Sequence, residues 1–119
     1  MNAADTQAVI ERYFEVMGRG EDFSTFYADV VSWTTFDGAT TIVGPSEVRD
    51  YITELHNNMP DGESRIVYAD GIAYIEGYCA DPRGTGADRI AWCLAYDVAD
   101  GVITSARLYG ELGFLVPGR

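Results

Sequence analysis

The 119-residue chain contains no lysine; its eight cations are all arginines, set against 19 acidic side chains and a formal net charge of −11. An acidic chain without a basic stripe lacks the electrostatic footprint that nucleic acid or an anionic membrane recognises, so neither partner is expected. Cysteine is scarce. Cys79 and Cys93 both fall inside strand-like runs, which reads as two buried thiols rather than a disulfide framework. His56 is the single histidine and no CxxC spacing occurs, so no metal and no cofactor site is expected. No apolar run reaches membrane-spanning length, and no charged-then-apolar leader pattern opens the sequence, so a cytoplasmic location is expected.

What the chain does have is apolar and aromatic surface. Hydrophobic residues make up 47% of it and aromatics 13%, including eight tyrosines. That is enough to build one real core without staples, and residues 1–119 are read as a single domain.

The patterning changes along the chain. Val9, Ile10, Tyr13, Phe14 and Met17 follow helical spacing over residues 6–18, with Asp5 or Thr6 as the cap and Gly18 and Gly20 at the end. A short second helix fits 23–28, with Phe23, Phe26 and Tyr27 buried. Residues 30–36 and 40–43 are strand-like around an Asp37-Gly38 turn. Ser46 is read as the cap of a third helix that buries Val48, Tyr51, Ile52 and Leu55 and stops near Met59-Pro60. Strands follow at about 64–69, 72–81, 88–98 and 102–112. Asp70-Gly71 and Asp100-Gly101 are hairpin turns, and 83–87 is a longer loop. Helices segregated to one face of an antiparallel meander define an α+β fold. A strongly bent sheet would leave a hollow beneath them.

The strands from residue 64 onward suggest what lines that hollow. Side chains two apart share a face. Tyr74, Glu76 and Tyr78 therefore stand together on one strand, as do Trp92, Leu94 and Tyr96 on the next. If the first set points inward, Glu76 is a carboxylate in an aromatic-lined site, where burial raises its pKa and suits it to acid–base work. In the opposite orientation Ala73, Ile75, Gly77 and Cys79 form the core face and Glu76 is solvated.

Several phrases carry a family resemblance: Glu11-Arg12-Tyr13-Phe14, Phe26-Tyr27-Ala28-Asp29-Val30, Ile42-Val43-Gly44-Pro45-Ser46, and Tyr96 to Ile103 through Asp100-Gly101. In this order and spacing the chain resembles the nuclear transport factor two-like superfamily, in particular its SnoaL-like and ketosteroid-isomerase-like branches. The resemblance implies a cone-shaped, curved antiparallel sheet wrapped around three helices in the N-terminal half, a cystatin-like α+β barrel. It also implies a small apolar molecule in the cone, no cofactor, and a homodimer formed through the sheet. The catalytic tyrosine of the isomerase pattern falls on Tyr13. Its general base falls on Thr35, with Asp37 two residues later, and its second acid on Trp92 or Cys93. Where epoxide hydrolases carry Arg-x-Asp, this chain reads Glu76-Gly77-Tyr78, and Leu108 stands near their final Asp.

The resulting expectation is a cofactor-independent enzyme acting on an apolar polycyclic or polyketide-like metabolite by cyclisation, isomerisation or dehydration. Glu76 or Asp37 would move the proton and Tyr13 would polarise an oxygen. Trp33, Thr35, Tyr51, Tyr74, Tyr78, Trp92, Tyr96 and Leu108 would contact the substrate. His56, at a helix C-terminus that would favour its imidazolium, joins them only if that helix ends at the cone mouth. The alternative is a non-catalytic small-molecule-binding or dimerisation module of the same fold.

Overall fold

The computed structural model describes residues 2–83 and 89–117. Helix α1 spans Ala3–Gly18, and its cap is Asn2 rather than Asp5 or Thr6. The Asn2 side chain accepts from the Asp5 amide while the Asp5 carboxylate accepts from the Asn2 amide. This reciprocal box satisfies two of the helix's orphan donors. Thr6 serves elsewhere. Fully buried, it accepts from the Gly71 amide at 3.0 Å and so ties the start of α1 to the turn at Asp70-Gly71.

The helix expected over 23–28 is only a 3-10 turn, Ser24–Phe26. The chain enters strand β1, Tyr27–Thr35, immediately afterwards, and β2 follows at Thr41–Val43. Helix α2 spans Pro45–Asn58. Its cap is Gly44 with φ of 100°, a region that favours glycine, and Pro45 takes the first helical position, where its missing N–H costs nothing. Ser46 therefore lies within the first turn and does not cap it. A four-stranded meander completes the sheet: β3 Gly62–Ala69, β4 Ile72–Ala80, β5 Arg89–Ala99 and β6 Val102–Tyr109. A second 3-10 turn covers Gly113–Leu115. Most of the expected 83–87 loop lies outside the described residues.

The strand order is β2-β1-β6-β5-β4-β3. Neighbours are antiparallel except β1 and β6, which run parallel. The sheet is thus not wholly antiparallel, because the chain crosses through α2 before the meander brings β6 back alongside β1. Register shifts between Tyr27 and Ser32 on β1, and between Asp97 and Val98 on β5, interrupt the ladder. Such bulges bend a strand and increase its twist. The sheet curves around the helices, but β2 and β3 remain open edges, so the barrel is not closed. Helix α1 lies over β3 and β4, and α2 over β1 and β2.

Strand β4 turns Ala73, Ile75, Gly77 and Cys79 inward, and all four are buried. Facing them on β5 are Tyr96, Leu94, Trp92 and Ile90 respectively. Small residues on one strand thus leave space for large ones on the next, and Gly77 opposite Trp92 is the extreme case. This settles the orientation that the sequence left open: Tyr74, Glu76 and Tyr78 face outward, a correction to their expected place in the hollow. Tyr78 is held there by its hydroxyl, which donates to the Glu63 carboxylate at 2.9 Å, and by the Arg89 guanidinium over its ring.

Candidate functional site

Between the sheet and the helices lies a hollow of about 340 Å³. Its sheet wall is built by the inward faces of three neighbouring strands, through Ile75 of β4, Trp92, Leu94 and Tyr96 of β5, and Leu108 of β6. Trp33 of β1 and Phe14 of α1 add rings, while Leu55, Met59, Ile66 and Leu112 fill in the sides. His56 and Ser64, both exposed, mark its mouth. No carboxylate, lysine or arginine is among these lining side chains.

The hollow brings together four of the sequence-derived residues: Trp33, Trp92, Tyr96 and Leu108. Tyr51 stands one layer behind, its ring 4.6 Å from that of Trp33. Tyr13 is fully buried among the rings of Phe14, Phe23, Phe26, Tyr27 and Tyr96. Its hydroxyl pairs with that of Tyr27 at 2.6 Å, and the residue does not line the hollow. Burial, reinforced by the neighbouring phenols Tyr96 and Tyr27, holds its pKa well above the ordinary tyrosine value.

The two proposed carboxylates lie elsewhere. Asp37 is exposed in the loop after β1, accepting from the Ala39 amide at 2.9 Å and the Thr35 hydroxyl at 2.8 Å. Those bonds stabilise the carboxylate and depress its pKa. Thr35 thereby serves the turn, and neither residue borders the hollow. Glu76 is exposed on the outer face and paired with Arg65 at 3.1 Å. It belongs to a shallow outer groove of about 530 Å³ shared with Tyr78, Arg65 and Arg89. Ser64 and Trp92 border both this groove and the hollow. Tyr74 is exposed on the same outer face.

His56 sits in the last turn of α2, at the mouth. Although its side chain reaches solvent, the protein packed around the ring lowers its pKa by desolvation. This reverses the expected effect of the helix C-terminus, so the imidazole favours its neutral form. Cys79 and Cys93 are free thiols with raised pKa values, again chiefly from desolvation. Among the described residues, no three His, Cys, Asp or Glu side chains converge as metal ligands. No described helix is long and apolar enough to cross a membrane.

Most of the lining that sequence reasoning missed was recoverable once a face was chosen. Ile75 and Leu94 follow from the two-residue period on either side of Gly77 and Trp92. Phe14 follows from the stripe of α1. Leu112 carries no such signal, because it enters the hollow from an irregular segment just before a 3-10 turn.

No family model matches the chain, and no curated protein matches it. Solved structures do. A nuclear transport factor two-like protein from Burkholderia xenovorans superposes with a TM-score of 0.71 at 17% identity, covering 98% of this chain and 96% of the other. A candidate SnoaL-like polyketide cyclase from Mesorhizobium loti gives 0.65 at 18%, covering 87% and 97%. A candidate ketosteroid isomerase from Kribbella flavida gives 0.68 at 17%, covering 92% and 79%. The fold is therefore that of the nuclear transport factor two-like proteins. A fold hosts many activities, and identities this low carry no function with them.

Proposed function

We propose that this chain binds a small, uncharged, mostly apolar molecule in its inner hollow. One observation carries this reading: the wall is aliphatic and aromatic, and the side chains that line it offer no ionised group. Removing a charged ligand from water would go uncompensated there, whereas apolar burial contributes roughly 25 cal/mol per Å² of surface. The test is a titration with 2-ethylnaphthalene, followed by protein NMR. Saturable binding, lost in Leu94→Trp and retained in Tyr74→Ala, is expected. Binding that ignores Leu94→Trp would show that the hollow is not the site.

A second reading keeps the cyclase, isomerase or dehydratase chemistry suggested by the sequence. It is favoured by His56, a largely neutral imidazole at the mouth and so competent as a base. Tyr96, whose buried phenol has a raised pKa, would be the hydrogen-bond donor on the wall. Loss of turnover in His56→Gln, with probe binding kept, is the result this reading requires. The homodimer, or a purely dimerising role, would use the outer face around Val67 and Tyr74, which are 47% and 39% exposed. Sedimentation of the wild type against Tyr74→Glu tests it.

A further inference from the structure

Trp33 combines three properties that together point to a ligand atom. It lines the hollow, it is 1% exposed, and its indole Nε1 has no acceptor among the described residues. A buried donor without a partner costs free energy, and such groups are rare in folded proteins. The ring is also held in place, with Tyr51 against it at 4.6 Å between ring centres and β1 paired on both sides at this position, to Ile42 and Ala106. Reorienting the indole toward solvent would break this packing.

We propose that the Trp33 N–H is the hydrogen-bond donor that selects the ligand, which therefore carries an uncharged acceptor, such as a carbonyl or ether oxygen, at its inner end. This rests on the hollow being the binding site. An aromatic or alicyclic body lies against Trp92, Leu94 and Leu108, and the acceptor oxygen reaches Nε1 as the side chains that shield this atom give way. A carboxylate would also accept from Nε1, but no cationic side chain lines the hollow to offset its charge, and His56 at the mouth favours its neutral form. The ligand class is thus a neutral oxygenated hydrocarbon rather than an acid or a phosphate.

The test compares 2-acetylnaphthalene, 2-ethylnaphthalene and 2-naphthoate, which share a body and differ in the group presented. Wild type should bind the ketone about five- to tenfold tighter than the hydrocarbon, the scale of one net hydrogen bond. It should bind the carboxylate more weakly than either. The Trp33 indole proton should move downfield with the ketone and barely with the hydrocarbon. Trp33→Phe should bring the ketone-to-hydrocarbon affinity ratio down to about one, and this ratio, not the absolute hydrocarbon affinity of the variant, is the readout. If that variant does not fold, Trp92→Phe assigns the two indole resonances by difference, and the wild-type shift decides. If both naphthalenes bind in the hollow without ketone preference and the Trp33 proton stays put, the selecting role of Trp33 is overturned and the hollow survives as a site. Tight naphthoate binding overturns the neutral ligand class. If no probe binds, or Leu94→Trp does not block binding, the site itself fails and this inference fails with it.

Discussion

Gly77 and Trp92 face each other across β4 and β5, and the indole occupies the space a side chain at 77 would need. A Cβ built on Gly77 would lie 2.6 Å from Cζ2 of Trp92. The ring that walls the hollow therefore depends on a missing methyl group on the neighbouring strand. Gly77→Ala should destabilise the fold by about 1–3 kcal/mol, the usual cost of overpacking. It should also shift the tryptophan emission. Urea denaturation of a double-mutant cycle with Trp92→Leu checks the cause, because the two changes together should cost less than their sum.

Tyr13→Phe removes one member of a buried hydroxyl pair and leaves Tyr27 without that partner. The expected loss is about 1–3 kcal/mol, the cost of a stranded buried hydroxyl. Adding Tyr27→Phe should recover part of it. Affinity for a naphthalene probe should be nearly unchanged, since Tyr13 does not line the hollow. A large loss of probe affinity at unaltered stability would return Tyr13 to the site.

Glu76→Gln should change little. Its partner Arg65 and its own side chain are 75% and 51% exposed, and exposed pairs contribute about 0–1 kcal/mol. Denaturation midpoints and probe titrations, compared with wild type at low and high salt, measure both effects. Strong loss of probe binding would show that the outer groove communicates with the hollow.

The lowered pKa of His56 gives stability a definite pH dependence. Above the unfolded value of about 6.5, the ring is neutral in both states and stability is unaffected. As pH falls below that value, the unfolded chain takes up the proton first, so stability declines until the folded imidazole also titrates. His56→Gln should abolish this particular slope. The single imidazole signal, followed by proton NMR, should titrate below 6.5 in wild type and fall further when the hollow is filled.

Thr6→Val keeps the shape of a buried side chain but removes the acceptor of the Gly71 amide. A cost of about 1–2 kcal/mol is expected. Amide hydrogen exchange should quicken at Gly71 and at residues around its turn before it quickens in the central strands.

Hydrophobic periodicity located both helices and the longer strands, because burial of one face leaves a regular mark at 3.6 or 2 residues. It also suggested a further helix over 23–28, where the chain makes only a 3-10 turn. The short β2 was marked by the Asp37-Gly38 turn rather than by a buried face. Periodicity could not orient β4. There the aromatics lie on the outer face, and the inner face is small because its neighbour is large. The decisive information was the pairing of Ala73 with Tyr96 and Gly77 with Trp92, a relation between strands that no single strand displays. Trp33, Trp92, Tyr96 and Leu108 were legible as hollow-lining because alternation holds locally around each of them, clear of the register shifts of β1 and β5. Tyr13 was legible as buried but not as distant from the hollow, since its stripe position is the same in either case. Caps were misplaced for a local reason: Asn2 and Gly44 each sit just ahead of the residues chosen, where a polar side chain or a positive φ competes with Asp5, Thr6 and Ser46.

The parallel junction of β1 with β6 also bears on the order of assembly. Tyr27 must meet Ile103, and Trp33 must meet Ala106, so the front of the chain cannot complete its pairing until nearly everything between has been made. Closing so long a loop is entropically unfavourable and slow. While a ribosome still holds residues 102–109, β1 lacks the central strand that joins it to the meander. Nascent chains should therefore remain protease-sensitive until that strand emerges, and a helper that shields exposed edges would act in this interval.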